Sequence, residues 1–110
     1  MKELPTHCLL RPPSIAEPLR FEEIFDPQRP VELDLGCGKG RFLLARASAH
    51  PGIQYLGVER LLLRIRKIDR KVQRLKLDNV RLLRLEVSYV LEHMLPEHAI
   101  RRAYLLFPDP

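Results

Sequence analysis

Hydrophobic and polar positions alternate with two different periods after Pro30, and the changes of period predict alternating strands and helices. Short apolar runs predict four strands, over residues 31–35, 54–58, 80–85 and 103–107. Helical spacing predicts helices over residues 41–49 and 61–77, and a short helix over 88–95 capped by Ser88. Strands that alternate with helices imply parallel pairing with right-handed crossovers. The pattern therefore predicts a Rossmann-like α/β fold.

The long helix has two distinct faces. Its buried stripe is predicted to contain Ile65, Ile68, Val72 and Leu75. A basic stripe recurs at intervals of three and four residues and is broadened by two more arginines: Arg60, Arg64, Lys67, Lys71 and Arg74, with Arg66 and Arg70. The stripe is either a surface that contacts phosphate or an ordinary solvated outer face, and the sequence leaves both open.

Proline divides the chain near its beginning. Six of the ten prolines lie at or before Pro30, and Pro12, Pro13 and Pro18 exclude a long helix there. We expect residues 1–19 to form a proline-rich arm over the surface of a domain that comprises residues 20–110. A short helix is predicted over residues 20–25, which Pro27 ends.

The last predicted strand is apolar throughout, as in a strand that is buried on both faces. Only Pro108, Asp109 and Pro110 follow it. An exposed apolar edge strand promotes aggregation. We therefore expect the fold to be incomplete, with these residues forming the N-terminal portion of a larger domain.

Charge and composition narrow the classes of partner. The 110 residues carry a formal net charge of +5, which favours a polyanionic partner. No apolar run approaches the length of a membrane span, so no membrane contact is expected. Cys8 and Cys37 lack metal-ligand spacing and suit a reducing cytoplasm. His93 and His98 lack supporting acids, so no metal site is expected.

The stretch "VELDLGCGKGRF" contains three glycines, Gly36, Gly38 and Gly40, directly after a predicted strand. A P-loop requires a hydroxyl residue after its lysine, but Gly40 follows Lys39. A dinucleotide loop requires a third glycine where this chain has Arg41. A third candidate ligand is S-adenosylmethionine, which glycine backbone can approach closely because no Cβ intervenes.

Asp34 favours that third candidate. It stands at the end of the strand, where a carboxylate repels a pyrophosphate but suits the ammonium of an amino-acid group. Glu59, at the end of the second strand, can accept hydrogen bonds from both ribose hydroxyls. The sequence leaves simpler roles open: the glycines as an ordinary turn, Asp34 as a helix cap or partner of Arg41, and Glu59 as a helix-start acid.

Most of the chain resembles a known family. The segments "FEEIFDPQRPVELDLGCGKGRFLLARASAHPGIQYLGVE", "NVRLLRLEV" and "AYLLFPDP" are similar to the TrmB-type tRNA (guanine-N7)-methyltransferases. The resemblance covers residues 20–110. It implies a class I S-adenosylmethionine-dependent methyltransferase fold and a cytoplasmic tRNA (guanine(46)-N7)-methyltransferase, with S-adenosylmethionine as cofactor and tRNA as partner. In the family the "FPDP" motif continues with residues that this chain does not contain.

The resemblance also implies site residues. Asp34, Gly36, Gly38, Glu59 and Glu86 would bind the cofactor, Glu59 at the ribose and Glu86 along the adenine. Asp109 would be the catalytic acid, between cofactor and guanine. Asp34 stands where the family usually has Glu, and Glu86 where it usually has Asp. Both exchanges keep the negative charge but change the length of the side chain by one methylene group. Three alternatives remain: another S-adenosylmethionine-dependent methyltransferase, an NAD-dependent oxidoreductase fragment, and a non-catalytic RNA-binding remnant.

Overall fold

Residues 8–105 are described by a computed structural model, in which four parallel strands form one sheet. The strands are β1 (Val31–Leu35), β2 (Gln54–Val58), β3 (Val80–Leu83) and β4 (Arg102–Leu105), in the order β3-β2-β1-β4. The helices are α1 (Phe21–Ile24), α2 (Arg41–Ala49), α3 (Leu62–Leu75) and α4 (Val87–Tyr89), the last continued by a π-helix over Val90–Met94. The predicted Rossmann-like fold is confirmed.

The sheet separates two apolar layers. Alternation along β1 directs Val31, Leu33 and Leu35 into the layer that also contains Val90 and Met94. The opposite layer joins α2 and α3 to the sheet through the residues Leu43, Leu44, Ala47, Tyr55, Ile65, Ile68, Val72, Val80 and Leu82. All five residues of β1 are buried, as expected for a central strand covered on both faces.

The predicted buried stripe of α3 is correct for Ile65, Ile68 and Val72 but wrong for Leu75, which is 53% exposed. The helix ends at Leu75 because Lys76 adopts a left-handed conformation with φ of 57°. The Leu77 amide then bonds the Val72 carbonyl at 3.0 Å. This turn packs Leu77 against the core in place of Leu75.

The segment after β3 also differs from its prediction. The strand ends at Leu83 rather than at residue 85, since its partner β2 ends at Val58. Ser88 does not cap the next helix: it lies inside α4, and its hydroxyl donates to a Glu86 carboxylate oxygen at 3.2 Å. The prediction of a Ser88 cap is therefore wrong.

Strand β4 lies at an edge of the sheet and pairs with β1 alone among the described residues. Arg102, Ala103 and Leu105 are exposed, in agreement with the expectation that the fold is incomplete. The reason is that no element within residues 8–105 packs over its outer face. The rest of the predicted strand, at positions 106 and 107, lies outside the described residues.

The opposite edge of the sheet is covered by the beginning of the described chain. Leu9 forms a parallel bridge with Leu82. The Leu82 amide donates to the Cys8 carbonyl at 2.7 Å, and the Leu82 carbonyl accepts from the Leu10 amide at 2.8 Å. Farther along, Leu19 is buried, and its amide donates to the Met94 carbonyl at 2.8 Å. Cys8 and Leu19 therefore belong to the core, while a domain boundary at residue 19 stays a prediction.

Candidate functional site

The glycine loop lies at the carboxyl end of β1, the strand that pairs with β2 on one side and β4 on the other. Strand order reverses there, and open α/β sheets bind ligands at such a point. Gly36, Gly38 and Gly40 all have positive φ, of 67°, 57° and 82°. A Cβ at Gly40 would also lie 2.8 Å from Ile68 Cγ1. Both the conformation and the packing of this loop therefore require glycine.

Backbone hydrogen bonds hold the loop between β1 and α2. The Cys37 amide bonds the Val58 carbonyl at 3.0 Å, and the Gly40 amide bonds the Cys37 carbonyl at 2.8 Å. The Leu44 amide then bonds the Gly40 carbonyl at 2.8 Å and starts the ladder of α2. The first turn of α2, with its unpaired amides and positive dipole end, therefore begins directly at the loop.

Asp34 is a buried acid with an unsatisfied acceptor. The residue is 3% exposed, and its Oδ2 has no hydrogen-bond partner within the described part of the chain. Burial raises the pKa of this carboxyl to about 6. None of the described ion pairs joins Asp34 to Arg41, and no side chain caps α2. What Asp34 offers is an ionisable acceptor suited to a positively charged donor.

Glu59 fastens the loop to the end of β2. One carboxylate oxygen accepts from the Gly38 amide at 3.0 Å, and the other accepts from the Leu61 amide at 3.0 Å. Leu61 immediately precedes α3, so Glu59 also serves as the helix-start acid that the sequence had left open. Each carboxylate oxygen keeps a second lone pair for a further donor. The bond to Gly38 could not be foreseen from spacing alone.

Glu86 follows β3 at the same edge of the sheet. Its side chain is exposed, and Val87 next to it would lie 4.0 Å from a Cβ placed on Gly36. The structure thus brings the ends of three strands together, with Asp34, Gly36, Gly38, Glu59 and Glu86 around one loop. Asp109, the predicted catalytic acid, lies outside the described residues.

Gly57 also shapes this edge, and the sequence motifs did not include it. A Cβ on Gly57 would lie 2.7 Å from Leu43 Cδ2 and 3.3 Å from the Cys37 sulfur, so glycine lets the loop and α2 pack on β2. Glycine inside a strand often marks such a close approach and could have signalled it.

Burial, reinforced by Asp34 and Glu59, raises the pKa of the Cys37 thiol. The thiol therefore stays protonated and unsuited to nucleophilic attack.

Away from this edge, residues 8–105 have two surface grooves and no cluster of metal-ligand side chains. Within residues 8–105, histidine, cysteine and acidic side chains form no group of three that could hold a metal ion. None of the helices in this range is long and apolar enough to span a bilayer. Two surface grooves, of about 310 and 420 Å³, are lined by residues 10–24 and by the segments 21–31 and 98–101. Neither groove includes the glycine loop.

Residues 28–110 match the model of a family described as "putative methyltransferase". A tRNA (guanine-N(7)-)-methyltransferase of Syntrophotalea carbinolica is 33% identical over 110 residues, which are 100% of this chain and 47% of the relative. One from Alkaliphilus metalliredigens is 39% identical over 90 residues, covering 78% of this chain and 42% of the relative. The chain thus spans about half the length of these curated relatives. The resemblance found in the sequence is confirmed.

Solved structures agree with the fold. A 30S ribosomal A1408 methyltransferase from an uncultured bacterium superposes with a TM-score of 0.65 at 23% identity. The match covers 80% of this chain and 42% of the methyltransferase chain. An antibiotic-related methyltransferase gives a TM-score of 0.61 at 24% identity, over 76% of this chain and 43% of its own. At such identities the likeness establishes the α/β architecture alone.

Proposed function

Since the chain belongs to the putative methyltransferase family, we propose that it binds S-adenosylmethionine at the loop that joins β1 to α2. The observation that carries this proposal is Asp34: a buried carboxylate oxygen without a partner among residues 8–105, two positions before the first of three glycines with positive φ. A buried acceptor of this kind costs free energy unless a donor reaches it. The ammonium of an amino-acid group is such a donor, and it would also stabilise the ionised form of Asp34.

The neighbouring residues fit the remaining parts of the same ligand. Gly36 and Gly38 present backbone without side chains, so a ligand can lie close to the loop. Glu59 is already oriented by the Gly38 and Leu61 amides, and its free lone pairs would accept the ribose hydroxyls. The exposed carboxylate of Glu86 stands at the end of the next strand, where the family resemblance places the adenine.

A dinucleotide fits this edge less well. A pyrophosphate placed on the loop would face the carboxylates of Asp34 and Glu59, both of which are less than a tenth exposed. Like charges at short range in a buried setting repel strongly, since little water screens them. The same arrangement that favours an ammonium therefore disfavours NAD.

For the reaction we propose transfer of a methyl group to N7 of guanine in tRNA, as the names of the relatives suggest. S-adenosylmethionine, when bound, supplies an electrophilic methyl group on a sulfonium. Guanine N7 carries a lone pair and no proton, so the protein needs no strong general base and acts mainly by positioning. Asp109 would accept hydrogen bonds from the guanine edge and balance its developing charge. The cytoplasm, where tRNA occurs, is the compartment that this proposal assigns.

The test is an assay of the 110-residue chain with methyl-labelled S-adenosylmethionine and unmodified tRNA, followed by digestion to nucleosides. We expect the label in N7-methylguanosine, and a loss of at least about tenfold in Asp34→Asn because the ammonium loses its charged partner. Label at another nucleoside, or transfer to protein but not to RNA, would refute the assignment of the substrate. Binding of S-adenosylhomocysteine without transfer of label would refute the activity for these 110 residues while leaving the cofactor site intact.

A further inference from the structure

Helix α3 presents a concentrated positive surface on its outer side. Its basic residues are Arg64, Arg66, Lys67, Arg70, Lys71 and Arg74, which together we call the α3 basic face. Five of them are exposed and Lys71 is half-buried. At about 100° per residue they occupy an arc of roughly 160°, centred almost opposite the buried Ile65, Ile68 and Val72. The apolar side of the helix is thus committed to the core, and the charged side faces outward.

The charges of this face are not neutralised by neighbouring acids. None of the described ion pairs includes a residue of the α3 basic face. The one acid on the helix, Asp69, is 4% exposed and accepts hydrogen bonds from the Cys8 thiol and the Gln73 amide. With six basic residues and one acid, α3 carries a charge equal to the net +5 of the whole chain. The net charge is therefore localised on one helix.

Such a concentration costs stability. Like charges three and four residues apart, such as Arg64 with Lys67 and Lys67 with Lys71, destabilise a helix by a few tenths of a kcal/mol per pair. An isolated solvated face gains from interspersed acids, and α3 has none on this side. A surface with one sign of charge attracts a polyanion and raises its rate of association.

The position of the face relates it to the proposed cofactor edge. Arg60 directly follows Glu59, and its carbonyl accepts from Arg84 Nε at 3.3 Å. Helix α3 begins two residues later and runs for 14 residues, or about 21 Å, along the outside of the sheet. The α3 basic face therefore begins close to the proposed cofactor edge and extends away from the carboxylates of that edge.

We propose that the α3 basic face binds the phosphate backbone of the substrate RNA, beyond the nucleotide that enters the cofactor edge. The inference rests on the proposed function, because that function makes RNA the substrate. RNA is favoured over an anionic membrane because the apolar side of α3 is buried in the core. A membrane-surface helix needs that side free to enter the lipid. Binding through phosphates is independent of sequence and strongly salt-dependent.

The test compares two triple variants that remove the same charge from different surfaces. In the first, Arg66, Arg70 and Arg74 are changed to Gln, which retains helix propensity. In the matched control, Arg11, Arg20 and Arg101, exposed residues outside α3, are changed to Gln. Binding of tRNA and of an unrelated duplex RNA is measured between about 50 and 200 mM salt. Binding of S-adenosylhomocysteine is measured in parallel.

We expect the α3 variant to bind both RNAs at least about tenfold more weakly, with a salt slope smaller by about two to three. The control should stay within about threefold of the original chain, and both variants should bind S-adenosylhomocysteine normally. Equal losses in the two variants, or unchanged RNA binding in the α3 variant, would overturn the proposal. The proposal would also be overturned if the α3 variant bound phosphatidylserine vesicles more weakly but bound RNA as well as the original chain does. Failure of the proposed function would give a different result: the original chain would bind RNA but not S-adenosylhomocysteine.

Discussion

Asp34 shows how a single residue can be costly for folding and useful for binding. Its carboxyl is buried near the end of β1, and Oδ2 has no hydrogen-bond partner in the part of the chain that the structure describes. Burial alone raises its pKa from 3.8 to about 6. Strained or uncompensated groups of this kind concentrate at functional sites. The stability and the ligand affinity of the chain should therefore respond to Asp34 in opposite directions.

Removing the charge should stabilise the empty protein. Because the folded pKa of Asp34 lies above its unfolded value, the original chain loses stability as pH rises from about 4 to about 6. At pH 7 we expect Asp34→Asn to be more stable by about 1 to 2 kcal/mol, with the difference shrinking toward pH 4. Urea unfolding at both pH values measures this, with the exposed Asp78→Asn as control. A difference that is the same at both pH values would contradict the assigned cause.

The sequence indicated some residues of the proposed cofactor edge and concealed the tertiary contacts of others for a physical reason. Gly36, Gly38 and Asp34 could be predicted because the loop chemistry acts through neighbours in the chain. The bond from the Gly38 amide to Glu59 spans 21 residues and depends on the register of β1 against β2. Likewise, Gly57 is required by Leu43 on another element. Such tertiary requirements leave no local pattern.

At the scale of elements, the pattern located every strand and helix of the described chain but misplaced several ends. Helix α3 ends where Lys76 turns the chain, which hydrophobic spacing does not record. The β3 strand ends where its partner ends, and Ser88 lies within a helix that it was expected to cap. Ends depend on partners and on backbone turns, whereas the interiors follow from periodicity.

Asn79 connects α2 to the sheet in a way that its sequence context, a turn, did not suggest. The residue is 4% exposed, and its side-chain NH₂ group lies 3.0, 3.2 and 2.9 Å from the carbonyl oxygens of Ala47, His50 and Ile53. These carbonyls belong to the end of α2 and to the connection that leads into β2. One donor group therefore serves carbonyls at the end of α2 and in the loop after it, although that of His50 also accepts from the Ile53 amide at 3.1 Å.

Two substitutions distinguish this donor role from simple packing. We expect Asn79→Ala to lower the free energy of unfolding by about 2 kcal/mol, because the buried Ala47 carbonyl and the part-buried Ile53 carbonyl lose this donor. Asn79→Asp is nearly isosteric but at pH 7 places a carboxylate against three carbonyl oxygens, so it should destabilise more than alanine does. Chemical denaturation of both variants at pH 7 and pH 4 measures the order. If Asn79→Asp is as stable as the original chain at pH 7, the donor role is wrong.

Across the whole molecule, cofactor binding and RNA binding are proposed for two different surfaces. The carboxyl edge of the sheet contains the buried acids and the glycine loop, and the outer layer contains the α3 basic face. Residues 8–10 complete the far side of the sheet by pairing with β3. The parallel topology followed from the alternation of elements. Pairing of the N-terminal segment did not, since prolines predicted only that it would avoid a long helix.

The central claim is that the loop at the end of β1 binds S-adenosylmethionine through Asp34. Calorimetric titration of the 110-residue chain with S-adenosylhomocysteine tests it most directly, with NAD and the Asp34→Asn variant measured in parallel. We expect the chain to bind S-adenosylhomocysteine but not NAD, and the variant to bind at least about tenfold more weakly, since a charged hydrogen bond is lost. Binding of NAD instead, or equal affinity for S-adenosylhomocysteine in a folded variant, would contradict it.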